Sequence, residues 1–193
     1  MGGIFSGAAP PQHNLLVVGP DRAGKTTLLW WLGHVGRGGS HPTSAGQIGN
    51  PAEVLTTPRF VMTAWDLGTG ARLGPLWRHY YPRADCVIFI VDAADAEMLH
   101  AVAKPELDKL LAEPLLAEVP LLVLANKQDL PAAVAPVAVQ EALGLHALRR
   151  RDWHVEGCAA TRVGTAGGDD GVRRGLEWCL SRPRRATPGA EQA

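Results

Sequence analysis

Gly19-Pro20-Asp21-Arg22-Ala23-Gly24-Lys25-Thr26 decides the fold. It fits G-x-x-x-x-G-K-[ST], and its flanks are those the pattern requires. Leu15-Leu16-Val17-Val18 before it is a short apolar run that predicts a buried strand, and Thr27-Leu28-Leu29-Trp30-Trp31-Leu32 after it predicts the first turns of a helix. Strand, glycine-bounded loop and helix N-terminus together form a phosphate cradle. Backbone N–H groups line the loop, the helix dipole adds partial positive charge, and Lys25 reaches toward β- and γ-phosphates. Thr26 offers a hydroxyl to Mg²⁺, a cation that takes oxygen ligands and keeps some of its waters. The competing reading is a glycine-containing strand-to-helix turn with a surface lysine.

Working outward, 193 residues suit one domain with a sizeable core. The 19 basic and 19 acidic residues balance, so no global charge points to nucleic acid. Three cysteines, Cys86, Cys158 and Cys179, lie far apart, without metal or redox spacing, and fit a reducing compartment. No apolar run is long enough to span a bilayer and no secretory segment is present, so an intracellular, cytoplasmic protein is expected. Met1-Gly2-Gly3-Ile4-Phe5-Ser6 matches the N-myristoylation pattern at Gly2; a flexible start with a chance glycine is the alternative. One myristoyl chain binds membranes marginally, and a second contact is needed.

From Asn14 onward strands alternate with helices, the mark of an α/β fold with a parallel sheet. Residues 35–51 form a long Gly-, Ser-, Pro- and Thr-rich loop. Glu53–Thr57 and Phe60–Trp65 read as a β-hairpin around Pro58-Arg59, and residues 67–83 as a second irregular stretch. Cys86–Val91 and Pro120–Ala125 are continuous apolar runs, as for strands covered on both faces. A helix over Ala96–Leu111 carries Pro105, which predicts a kink or break. A short helix over Val137–Leu143 closes at Gly144; Trp153–Cys158 is the last strand and Gly171–Leu180 the last helix. The expected organisation is an N-terminal segment at 1–13, one domain at 14–180, and a disordered Pro-, Arg- and Ala-rich tail at 181–193.

The phosphate loop alone does not name a nucleotide. Asn126-Lys127-Gln128-Asp129 follows a strand, at the carboxyl edge where open α/β sheets bind ligands. An aspartate there accepts hydrogen bonds from the ring N–H and exocyclic amine of guanine. Adenine lacks that donor pair and would leave a desolvated carboxylate unmatched. Asn126 supports such a pocket, and the Lys127 stem lies along a purine. Asp66 closes another strand, where an acidic residue holds Mg²⁺ through water, and Gly68 lets its N–H approach a γ-phosphate.

With these residues in place the chain resembles the ADP-ribosylation factor (Arf) family of small GTPases, including its Arf-like branch. The resemblance rests on Met1-Gly2 with Ile4-Phe5, the loop Gly19 to Thr27, Trp65-Asp66-Leu67-Gly68 and Pro75–Tyr80. It continues through Leu124–Pro131, Leu143–His146 and Cys158-Ala159. It implies a phosphate-loop NTPase of small-GTPase fold, with a six-stranded, mostly parallel sheet flanked by helices. It also implies GTP or GDP with Mg²⁺, and switch regions ordered by the γ-phosphate. Exchange factors, activating proteins and effectors would engage the switch and interswitch surface, with Trp65 and Tyr80 at two positions of an aromatic triad and Asn50 at the third. Myristate on Gly2 would place the protein peripherally on intracellular membranes, Golgi or endosomal, in vesicle-mediated or intracellular protein transport. The nucleotide-binding residues it implies are Gly19, Pro20, Asp21, Arg22, Ala23, Gly24, Lys25, Thr26, Thr27, Asp66, Gly68, Thr69, Asn126, Lys127 and Asp129. The last guanine-contacting loop adds Cys158, Ala159 and Ala160, the alanine standing where a threonine is often found.

The chain departs from that family after Gly68. Where the family has Asp-x-Gly-Gly-Gln, this sequence reads Asp66-Leu67-Gly68-Thr69-Gly70. The glutamine orients the attacking water, and Gly70 has no side chain for that work. Thr69 is β-branched where glycine would give backbone freedom. No intact catalytic residue is therefore expected, and slow GTP hydrolysis is. In the first switch, Thr43 falls in register counting forward from Thr26, and Gln47 counting back from Asp66; Thr43 is the better Mg²⁺ ligand.

Three readings follow: an Arf-like GTP/GDP switch; a GTP-binding interaction module with little or no hydrolysis; and, more distantly, a phosphate-loop nucleotide kinase, which the guanine tetrad opposes. Adjacent Trp30 and Trp31 lie about 100° apart on a helix, so both cannot face the sheet. One is expected to be partly covered or to serve as partner surface.

Overall fold

The computed structural model describes residues 13–34, 52–56, 60–65, 81–163 and 171–182. Strands β1 (His13–Val18), β2 (Ala52–Thr56), β3 (Phe60–Trp65), β4 (Cys86–Asp92), β5 (Leu121–Asn126) and β6 (Trp153–Gly157) form one sheet. Its order is β2-β3-β1-β4-β5-β6. Only the β2–β3 hairpin is antiparallel. This is the six-stranded, mostly parallel α/β sheet expected from the sequence.

Two cores follow from strand alternation. Leu16, Val18, Phe89, Val91, Val123 and Ala125 point to one face. There they meet Leu99, Ala103, Leu107 and Leu110, together with Val139 of α4 (Pro136–Ala142). Leu15, Val17, Ile88, Ile90, Leu122 and Leu124 point to the other. That face is covered by α1 (Lys25–His34) through Leu28 and Leu29, and by α5 (Gly171–Ser181) through Val172, Leu176 and Cys179. β5 is buried along its whole length and β4 in all but Asp92, so their sequences are unbroken apolar runs rather than alternating ones.

The stretch with Pro105 is not one regular helix. It runs as a short α2 (Ala96–Met98), a π-helical turn (Leu99–Ala103) and α3 (Lys104–Leu111). The irregularity precedes the proline: Lys104 N–H reaches back to Leu99 C=O, and Pro105 sits in the first turn of α3, where its missing N–H does least harm. Gly144 ends α4 as predicted, at φ 66°, a left-handed conformation glycine adopts without penalty. Trp30 and Trp31 are both half-buried and meet edge to face at 5.1 Å between ring centroids.

Folding brings Cys86 and Cys179, far apart in sequence, to 2.8 Å between sulfurs. Burial, together with the neighbouring Cys86, pushes the Cys179 thiol well above its usual pKa. It therefore persists as a neutral thiol.

α5 is also tied to β6 by charge. Arg174 makes a two-pronged contact with Glu156, its Nη2 at 3.0 Å from Oε2, and His154 lies 3.0 Å from the other oxygen. Desolvation pushes the Glu156 carboxyl up, but the Arg174 and His154 hydrogen bonds outweigh it and hold its pKa below the usual value. A depressed carboxyl stabilises the fold above its unfolded pKa, and the effect is lost as pH falls through the folded one. Glu156→Gln should thus lower the urea midpoint at neutral pH. The gap from wild type should close in acid, below the usual carboxylate range.

Candidate functional site

The strand order changes side at β1: β3 lies parallel to it on one side and β4 on the other, so the connections leaving β1 and β3 run to opposite sides of the sheet. Ligands of open α/β sheets bind at the carboxyl ends of strands beside such a change of side. The loop from Gly19 to Gly24 leaves β1 at that point and enters α1 at Lys25. Its path depends on three positive backbone angles: Gly19 at φ 150°, Arg22 at 61° and Gly24 at 105°. A Cβ on Gly19 would lie 2.1 Å from the Ile90 carbonyl oxygen, and one on Gly24 would lie 2.2 Å from Asn126 Nδ2. Both glycines of the motif are thus required by close packing as well as by conformation.

Lys25 is 6 % exposed. Its Nζ donates to the carbonyls of Gly19 at 2.9 Å and Pro20 at 2.6 Å. The ammonium is thereby held inside the curve of the loop, where burial makes an anionic partner valuable. Thr26 stands exposed in the first turn of α1, and Thr27 is half-buried beside it.

Asn126 ends β5 and is 2 % exposed. Its Nδ2 donates to the Ala23 carbonyl at 2.8 Å, and its Oδ1 accepts from the Ala160 N–H at 2.9 Å. One side chain thus joins the phosphate loop to the loop after β6. The Cys158 thiol, 3.6 Å away, donates to the same oxygen, and the Gln128 N–H donates to the Cys158 carbonyl at 3.0 Å. Ala159 and Ala160 are buried against this bracket. Lys127 follows at φ 67°, its Nζ 2.5 Å from Asp92 Oδ2. The other Asp92 oxygen accepts the Ala94 N–H at 2.9 Å.

Between these loops lies a cleft of about 320 Å³, with Gly24 and Thr27 on one side, Asn126, Lys127 and Asp129 on another, and Ala160 closing it. Its volume is at the lower end of the usual range for small-molecule sites. Asp129 is exposed at its rim. A second cavity of about 360 Å³ adjoins the loop from Pro20 to Ala23 and is floored by Val91, Leu99 and Ala103.

A sequence model of the ADP-ribosylation factor family matches residues 7–182. The chain belongs to that family. Its sheet, its phosphate loop and the loops around Asn126 and Ala160 are accordingly those of a small-GTPase fold, in a family that binds guanine nucleotides.

The structure places Gly19–Thr27, Asn126, Lys127, Asp129 and Cys158–Ala160 at one edge of the sheet. Gly2, Thr43, Gln47, Asn50, Asp66, Gly68, Thr69, Gly70 and Tyr80 lie outside the described residues, as do segment 1–12 and tail 183–193. No group of three or more His, Cys, Asp or Glu side chains fit to hold a metal occurs among the described residues. Thr26 is the Mg²⁺ candidate within them. Asp92 is not among the residues that the motifs single out; its signal in the sequence is its position one residue past the apolar run of β4, at the same carboxyl edge as Asn126.

Removing the Asn126 side chain would strand a buried N–H and a buried C=O. Each unsatisfied group costs about 1–3 kcal/mol. Asn126→Ala should therefore lower the unfolding free energy of the nucleotide-free protein by about 2–4 kcal/mol, measured by urea titration.

Proposed function

We propose that this chain is an Arf-like GTP/GDP switch that binds guanine nucleotide tightly and hydrolyses it slowly. The observation that carries the reading is the Asn126 bracket, which fixes the phosphate loop and the Ala160 loop around one cleft with Asp129 at its rim. In this reading the purine enters that cleft. Asp129 accepts from the guanine N1–H and 2-amino group, the Lys127 stem covers a ring face, and the Ala160 loop closes the far edge. The polyphosphate lies on the N–H groups of residues 19–27, and Lys25 exchanges carbonyl contacts for phosphate oxygens.

Mg²⁺ would neutralise phosphate charge when bound. Thr26 and Thr43 would be its protein ligands, with Asp66 acting through water. Thr26 fits that role by chemistry: a hard oxygen donor at the mouth of the loop, in the first turn of α1. Gly68 and Thr69 would meet the γ-phosphate through backbone. Effectors, an exchange factor and an activating protein would bind the switch and interswitch surface. Myristate on Gly2 of segment 1–13 would bring domain 14–180 to Golgi or endosomal membranes, for vesicle-mediated or intracellular protein transport. No helix among the described residues is long and apolar enough to cross a membrane, so attachment in this reading is peripheral.

A second reading, a GTP-loaded interaction module without turnover, is favoured by Gly70, which has no side chain to orient water. The two readings separate in single-turnover hydrolysis, with and without an activating protein. The switch reading expects slow but measurable phosphate release that Gly70→Gln accelerates; no release under any condition would favour the module. Both expect GTP to outcompete ATP by at least about 10³-fold, because adenine leaves Asp129 unmatched. Equal competition would remove the guanine assignment.

A further inference from the structure

We propose that the Arg22 side chain is a second phosphate-binding cation of the nucleotide site, a determinant of how slowly nucleotide leaves; this rests on the guanine-nucleotide reading above. Arg22 and Lys127 are the two residues that line both cavities, so they stand on the wall between them. Their charges are treated differently. The Lys127 ammonium is neutralised by Asp92 at 2.5 Å. The Arg22 guanidinium has no hydrogen-bond or ion-pair partner among the described residues, although three carboxylates line the cavity beside it.

Each of those carboxylates is already engaged. Asp21 Oδ1 accepts from the Arg22 backbone N–H at 2.8 Å. Asp92 takes Lys127 and the Ala94 N–H. Asp95 Oδ1 accepts from the Met98 N–H at 3.0 Å, capping α2. The guanidinium is thus an uncommitted planar donor, exposed beside the phosphate loop and next to the cleft for the base. Its backbone also sits at φ 61°, which is unfavourable for a residue with a Cβ.

A nucleotide whose base fills the Asn126–Asp129 cleft and whose terminal phosphates lie on the loop passes this wall at its sugar and α-phosphate. An arginine there meets anionic oxygen with two parallel N–H donors, the geometry guanidinium serves better than ammonium. Arg22 contributes to retention through charge, Asp129 to selection through the base, and the two are separable by ligand.

The test uses Arg22→Asn, a neutral side chain that tolerates the left-handed backbone. Stopped-flow release of fluorescent GDP and GTP is measured at several salt concentrations, and the affinity of guanosine, which carries no phosphate, by calorimetry. Arg22→Asn should raise both release rates by roughly tenfold, the effect of losing one charge-assisted hydrogen bond. It should also flatten their salt dependence and leave guanosine affinity unchanged; Arg22→Lys should restore part of the retention. Unchanged release, or guanosine affinity falling in step with GDP, would overturn the assignment. Parallel release of ADP and GDP from wild type reports on base selection separately, since its failure would strike Asp129 and not Arg22.

Discussion

The contact on which the site depends is the pair of hydrogen bonds made by the buried Asn126 amide. It faces the Ala23 carbonyl on one side and the Ala160 N–H on the other. Those groups belong to loops more than a hundred residues apart in the chain, and neither loop has a strand partner at that point to hold it. The amide is suited to this because it presents a donor and an acceptor on one rigid plane. A carboxylate would face a carbonyl with no proton, and an apolar side chain would leave both backbone groups unmatched in a dry environment. Gly24 belongs to the same constraint, because any Cβ there would occupy the space of Asn126 Nδ2. Motifs that look independent in sequence are therefore one packed object.

The sheet sets the frame for that object. β1, β4 and β5 are parallel neighbours, so their carboxyl ends, and the residues just beyond them, arrive at one edge. Gly19 follows β1, Asp92 ends β4 and Asn126 ends β5. Apolar packing on both faces immobilises these strands, and that rigidity is passed to the loops. The π-helical turn after β4 adds Leu99 and Ala103 to the floor of the cavity beside the loop, so the irregular stretch is part of the site's surroundings.

The charges at this edge divide into two sets. Lys127 and Asp92 satisfy each other, and Asp21 and Asp95 hold nearby backbone N–H groups in place. Lys25 is curled into its own loop and Arg22 stands in solvent. Binding a polyanion on such a surface requires little rearrangement of the first set and draws on the second. In the proposed reading, retention of nucleotide and its hydrolysis would be separate properties: the first would draw on this rigid edge, and the second would lack the side chain that Gly70 does not supply.

Much of this was legible in the residues. Gly19–Thr26 between an apolar run and a helical pattern specified the phosphate loop, because glycine, lysine and threonine at those spacings have few other joint uses. The runs Cys86–Val91 and Leu121–Ala125 specified buried central strands, since only strands covered on both faces are apolar throughout. Pro105 announced an irregular helix, although not that a π turn would precede it, because the choice among helical hydrogen-bond patterns depends on how Leu99 and Ala103 pack on the sheet. Only the tertiary structure decided that Asn126 reaches Ala23 and Ala160, that Asp92 takes the charge of Lys127, and that Cys86 meets Cys179. Sequence encodes such contacts only through the register of strands and the docking of helices. Local patterns state which residues are buried; the side chain opposite each one is settled when the two faces of the sheet are packed.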